Sequence, residues 1–185
     1  MSNVLEKIIN QKKIDLLVVK KKYTNDLLSE RIKQNESYIN FKNKITDNIK
    51  QNKISVIAEI KKASPSAGLI IKQYNPIAIA ENYILNGATC LSILTEEKFF
   101  LGDLQHITDV KNKFKIPILC KDFFIDSYQV PLAKSFGADA ILIILSGVDY
   151  KLAMDLYQTA NELNVTSIVE VHTSCLLYTS DAADE

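Results

Sequence analysis

The stretch Ser55-Val56-Ile57-Ala58-Glu59-Ile60-Lys61-Lys62-Ala63-Ser64-Pro65-Ser66-Ala67-Gly68 decides the fold. Its apolar half, Val56 to Ile60, reads as a buried strand, yet Glu59 and Lys61 stand at the far end. Strand side chains alternate between faces, so Ile57, Glu59 and Lys61 point the same way and two opposite charges share one wall. Ser64-Pro65-Ser66 then breaks the strand, and Gly68 either turns the chain tightly or lets it pass close to a neighbour. Charged groups at the exit of a buried strand, followed by a loop of small residues, suit an active site. The bland alternative is a strand that surfaces at Glu59, its solvated ion pair contributing only about 0–1 kcal/mol.

Working outward, apolar runs alternate with amphipathic stretches from Ile54 almost to the end, the pattern of a βα repeat. The second strand is Cys90 to Thr95, the third Pro117 to Lys121, the fourth Ala140 to Leu145 and the fifth Thr166 to Val171. Helices are expected from Pro76 to Asn86, Leu104 to Lys113, Ser127 to Phe136 and Asp149 to Leu163. Pro76 suits a first helical turn, and Gly87 and Gly137 suit the positions just past a helix. Short, nearly continuous apolar strands are expected of a parallel sheet covered on both faces. Before Ile54 the chain is rich in Lys and Asn, with loosely helical apolar spacing over Val4 to Tyr23, Leu27 to Lys33 and Phe41 to Ile49. That part reads as an accessory helical layer carrying no obvious chemistry.

No Rossmann glycine fingerprint accompanies the repeat, which leaves an open doubly wound sheet or part of a (β/α)8 barrel. The strand ends favour the barrel. Glu59 and Lys61 close the first strand, Lys121 the third and Glu170 the fifth, all at the C-terminal face of the sheet. A barrel aims such groups from odd-numbered strands at one central volume, whereas an open sheet spreads them along an edge. Taken singly, Lys121 and Glu170 would pass for solvated surface groups.

The bulk composition excludes several classes of function. With 185 residues, 22 Lys and Arg and 22 Asp and Glu, the chain fits one domain and has no net field to draw nucleic acid or a membrane surface. Any anionic ligand must be held locally. Cys90, Cys120 and Cys175 lack the spacing of a structural zinc site and point to a reducing compartment. The charged N-terminus lacks the apolar core of a signal peptide, and no run reaches the roughly 18 apolar residues of a membrane span. A cytoplasmic location is expected.

At its motifs the sequence resembles the indole-3-glycerol phosphate synthase family. The resemblance lies in Ile57 to Ser66, in Leu91-Ser92-Ile93-Leu94-Thr95-Glu96-Glu97-Lys98-Phe99-Phe100-Leu101-Gly102, in Pro117 to Phe123, in Gly137-Ala138-Asp139-Ala140 and in Val169-Glu170-Val171-His172. Leu5 to Ile9 resembles the start of that family's extra N-terminal helix. It implies an α/β fold, a (β/α)8 TIM barrel present here through strands 1–5. Residues 1–53 would form the N-terminal helical extension, 54–173 the partial barrel and 174–185 a non-native tail.

The resemblance also implies ring closure of 1-(2-carboxyphenylamino)-1-deoxyribulose 5-phosphate with loss of carbon dioxide and water. Lys121 would be the acid at the ketone oxygen. Glu170 would exchange the proton for dehydration, and Glu59 would orient Lys61. Lys61 would contact the substrate's carboxylate or its phosphate and share the acid role during loss of water. Ser64 would hydrogen-bond the carboxylate, and Phe100 and Phe123 would wall the aromatic ring, unless they are plain core aromatics. No metal or organic cofactor is implied. The expected partner is a small sugar phosphate, with no nucleic acid and no membrane, acting on a monomer at full length.

A barrel of this kind takes about 250 residues. After Thr173 the βα pattern stops, and Ser174 to Glu185 reads as foreign to the fold. The chain as written is therefore expected to be inactive, its remaining strands missing. Two rivals stand beside this reading: a barrel aldolase using Lys121 as a Schiff base, and a half-barrel that is not an enzyme and serves as an assembly partner.

Overall fold

The computed structural model describes residues 3–35 and 38–172. Cys175 and the tail read as foreign lie outside the described residues. Three helices come first, α1 (Asn3–Lys22), α2 (Asn25–Gln34) and α3 (Phe41–Lys50). There follow β1 (Ile57–Ile60), the two-residue strands β2 (Ala63–Ser64) and β3 (Gly68–Leu69), α4 (Pro76–Leu85), β4 (Cys90–Leu94) and α5 (Gln105–Lys111). The rest is β5 (Ile118–Lys121), α6 (Gln129–Ser135), β6 (Ala140–Ile144), α7 (Tyr150–Glu162) and β7 (Thr166–Glu170).

Five strands form one parallel sheet in the order β1-β4-β5-β6-β7, the first five staves of a barrel that does not close on itself. The small pair β2–β3 forms an antiparallel hairpin in the loop after β1. Helix starts follow local capping chemistry, in which a short polar side chain accepts a free amide of the first turn. Asn75 accepts from Ile77 and Ala78 at 3.1 Å ahead of Pro76, and Asp149 accepts from Leu152 at 2.8 Å. Past α4 and α6, Gly87 and Gly137 take φ of +88° and +102°, conformations in which a Cβ would be strained.

The two faces of the sheet are closed differently. One face carries Ile60, Leu91, Ile93, Ile118, Cys120, Ile141 and Ile143 and packs under helices that bring Ala80, Ile107, Val110, Val130 and Leu156 to it, all buried. On the other face Cys90, Leu119, Ala140 and Leu142 meet Phe41 of α3, which is 1 % exposed. Phe41 thus stoppers the inner face. Coverage of both faces holds for β4, β5 and most of β6. The flanking strands are more open, with Ile57 41 % and Val169 44 % exposed, because neither β1 nor β7 has a second neighbour among the described residues.

Asp139, fully buried just ahead of β6, ties this end together. Its carboxylate accepts the amides of Ile39 and Ile118 at 2.7 Å and pairs with Lys111 at 2.6 Å. Burial lifts the Asp139 carboxyl above its ordinary range and lowers the Lys111 amine, each opposed by the charge of its partner. A pair of this kind specifies geometry more than it stabilises.

The N-terminal helices are not a detached layer. Leu28 of α2 is buried against Leu132 and Phe136 of α6. Helix α1 passes the C-terminal ends of the strands, where a Cβ on Gly147, after β6, would touch Ile9 and Leu5 and Lys20 pairs with Asp126 at 2.6 Å; just past its end, Tyr23 meets the ring of Phe136 edge-on at 5.5 Å. Because Phe41 fills one end of the inner face, Phe41→Ala is expected to lower the unfolding free energy by about 3–5 kcal/mol, the usual loss for a buried aromatic. A urea titration showing less than about 1 kcal/mol would remove the stopper from this account.

Candidate active site

Parity along the strands places the charged groups. In a parallel sheet, residues level with one another point to the same face. Glu59 is level with Ser92, Ser92 with Leu119, and Leu119 with Ala140. Lys121 is paired with Leu94, two residues beyond Ser92, and Glu170 with Ile144, four beyond Ala140. Glu59, Lys121 and Glu170 therefore share the inner face, above Phe41 and its apolar neighbours.

Glu59 is the centre of the constellation. One carboxylate oxygen accepts from the Lys61 amine at 2.6 Å, and the other lies 3.4 Å from the Lys121 amine, across β4. All three side chains are about one-third exposed, at 33 %, 33 % and 34 %. Burial alone would lift the Glu59 carboxyl, but the Lys61 hydrogen bond and the charges of Lys121 and Lys61 outweigh it and hold the pKa below its ordinary 4.5. The result is a carboxylate between two ammonium groups at an open rim. Such a rim offers an acid and a local positive field to an anionic molecule.

Glu170 shares the face but has another partner. Its carboxylate meets His172 Nε2 at 2.8 Å, and no ion pair joins it to Lys121 among the described residues. Phe100 and Phe123, the latter two residues past Lys121, come together with ring centroids 6.1 Å apart, both half-buried. Ser64 sits in the hairpin after β1. There its hydroxyl accepts the Ala67 amide at 3.2 Å and lies 3.4 Å from the Ser66 hydroxyl, so it is engaged within its own turn. Gly68, at φ +64° with open space where a Cβ would stand, is a turn residue rather than a point of close approach.

Several site residues gave little sign of themselves in the sequence. Glu96, in the loop after β4, is 1 % exposed and turns back to accept the amides of Lys98, Phe99 and Phe100 at 3.1, 2.6 and 3.0 Å, which shapes the loop that presents Phe100. Gly102 closes that loop, and a Cβ there would run into the Leu94 carbonyl. Asp122, Thr95 and Lys12 form a buried cluster behind Lys121. The Ser92 hydroxyl, on the inner face beside Glu59, is buried with no hydrogen-bond partner among the described residues. Only the spacing of Glu96 to the aromatic pair hinted at its role. Cys90 and Cys120 are core residues whose thiols burial pushes up to about 12, far from a thiolate near neutrality.

A cavity of about 500 Å3, lined in part by Arg31, Gln34, Thr108 and Phe136, lies elsewhere. It opens among the C-terminal ends of α2, α5 and α6, on the side of the sheet where the strands begin. The face where the strands end carries the chemistry in folds of this architecture.

Known proteins resemble the chain along most of its length. The sequence model of the indole-3-glycerol phosphate synthase family matches residues 5–179, running past Thr173. An indole-3-glycerol phosphate synthase of Alkaliphilus metalliredigens (strain QYMF) is 41 % identical over 169 residues, covering 91 % of this chain and 64 % of the relative. Those of Aliarcobacter butzleri (strain RM4018) and Chlorobium chlorochromatii (strain CaD3) are 38 % and 37 % identical, again over 91 % of this chain and 64 % and 65 % of theirs. The chain thus spans just under two thirds of the length of these curated relatives.

A carboxyl whose pKa in the folded state is below its unfolded value stabilises the fold above the unfolded value and loses that contribution as pH falls through the folded one. Glu59→Gln is therefore expected to lower the thermal midpoint at pH 7 and to match the parent once the pH is low enough to protonate Glu59 in both states. An equal deficit at both pH values would show that the charge of Glu59 is not what holds the lysines.

Proposed function

We propose a function from one premise: the chain belongs to the indole-3-glycerol phosphate synthase family. The polypeptide that carries it converts 1-(2-carboxyphenylamino)-1-deoxyribulose 5-phosphate to indole-3-glycerol phosphate, releasing carbon dioxide and water. It is a carboxy-lyase of tryptophan biosynthesis. The observation that carries this reading is the convergence of the Lys61 and Lys121 amines on the single carboxylate of Glu59.

The chemistry asks for such an arrangement. The ring carbon bearing the substrate carboxylate attacks the ketone carbon, and the ketone oxygen needs a proton as the new bond forms. The Lys121 ammonium, beside the Glu59 carboxylate, is assigned as that acid. Carbon dioxide then leaves the ring carbon, and its bonding pair restores the aromatic system. Loss of the new hydroxyl as water takes a second proton, with Lys61 sharing the acid role and Glu170 exchanging the proton that must be removed. Glu59 orients Lys61, whose charge meets an anionic group of the substrate, either carboxylate or phosphate. Phe100 and Phe123 lie against the aromatic ring, and Ser64 reaches the carboxylate on leaving its present turn.

The imine-forming alternative would use Lys121 as a nucleophile on a carbonyl carbon, and borohydride trapping separates it from the acid role. A monomer at full length and the cytoplasm as its compartment complete the reading. Among the described residues no helix is long and apolar enough to cross a membrane.

The test uses the 185 residues alone and the same chain completed with the C-terminal third of the Alkaliphilus metalliredigens relative. The completed chain is expected to form indole-3-glycerol phosphate, followed by indole fluorescence, and the shorter one not. In the completed chain Lys121→Met is expected to lower kcat by about 100- to 10,000-fold, the range for loss of a general acid. Turnover that survives this change, or that borohydride traps as an imine, would overturn the assignment.

A further inference from the structure

Lys12 differs from the other lysines of α1. They lie at the surface, whereas its side chain is 11 % exposed and its amine is 2.7 Å from Asp122, itself 9 % exposed. Burial works against the charge on Lys12, but the Asp122 carboxylate prevails and holds the amine above its ordinary 10.5.

Asp122 is the residue immediately after Lys121, and both of its carboxylate oxygens are engaged. The oxygen that meets Lys12 also takes the Phe123 amide at 2.8 Å, and the other accepts the Thr95 hydroxyl at 2.9 Å. Thr95 closes a ring, because its own amide donates to the Lys121 carbonyl at 3.1 Å. The main chain just after Lys121 is thus held twice, at the Lys121 carbonyl by Thr95 and at the Phe123 amide by Asp122. Among the described residues, Lys12 supplies the one full positive charge within hydrogen-bond reach of the carboxylate. Without Lys12, Asp122 would be a buried anion with only neutral donors. Such a group takes up a proton or turns toward water, and either change frees the chain at Lys121 and Phe123.

We propose that Lys12, on the first helix, is a positioning residue for Lys121 and Phe123, acting through Asp122 and Thr95 to fix the direction in which the amine and the ring project into the site. The inference rests on the function proposed above for its kinetic meaning, though not for its geometry. Lys12 pairs with Asp122 whereas the Lys121 amine meets Glu59, so the influence of Lys12 on Lys121 passes through the main chain. A displacement of about 1 Å at a reacting group is enough to lower a rate about 100-fold.

Lys12→Met, which keeps the stem and removes the charge, is expected in the completed chain to lower kcat about 10- to 100-fold while KM stays within about threefold. Lys12→Arg restores the charge and is expected to recover kcat to within about fivefold of the parent. Lys20→Met is the control, since it removes the exposed Asp126 pair from the same helix and should leave both constants unchanged. The second readout is independent of turnover: in protein labelled with 13C at the lysine Cε carbons, the Lys121 resonance, assigned by Lys121→Arg, should shift in Lys12→Met and not in Lys20→Met. An active parent with unchanged kcat in Lys12→Met would overturn the proposal, as would a loss that Arg fails to rescue and that follows the thermal midpoint. An unmoved Lys121 resonance would overturn it even if the completed parent had no synthase activity, a result that would count separately against the function.

Discussion

Parallel hydrogen bonding imposes a single parity on β1, β4, β5, β6 and β7, and the other features of the chain follow from it. Once Glu59 points to the inner face, Ser92, Leu119, Lys121, Ala140, Ile144 and Glu170 must do so as well. A slip of one residue between any two strands would send a charged group into the dry layer beneath α4 to α7, where an unpaired charge is costly. The same register therefore sorts apolar residues to the helices and gathers ionisable ones at a rim.

The inner face changes character along its length. At one end Phe41 and Ile45 close it with hydrocarbon, and at the other Glu59, Lys61 and Lys121 remain about one-third exposed. That gradient lets two ammonium groups and a carboxylate keep their charges close to a core. Deeper in the protein, at Asp139 and Lys111, burial opposes charge on both partners and the geometry is held by backbone amides. The rim pair is placed where charge can act on a ligand, whereas the buried pair fixes the start of two strands.

Much of this was legible in the amino-acid sequence because the informative features are local. Apolar runs located all five strands to within two residues, and alternation alone placed Glu59 and Lys61 on one wall. Proline and glycine marked the ends of α4 and α6. The hairpin was not legible, since strands of two residues have no period to read. Nor was the role of the first three helices: a polar helix such as α3 shows that Phe41 faces inward but not what it stoppers. Lys12 is one of several lysines in a lysine-rich helix, and its partner Asp122 is more than a hundred residues away. Nor was the partner of Ser64 legible, since a serine in a turn gives no sign that its oxygen accepts an amide three residues on.

Helix α1 meets Gly147, Asp122, Asp126 and Phe136, so its contacts depend on residues translated long after it. At about 5–20 residues per second, the first segment to leave the ribosome waits roughly 5–20 s before Asp126 exists. Through that interval Lys12 and Lys20 lack Asp122 and Asp126, and Ile8 and Leu16 lack most of the core they enter. The oldest part of the nascent chain is thus among the last to settle, and the rim beside Lys121 takes shape only when the beginning of the chain comes back to it.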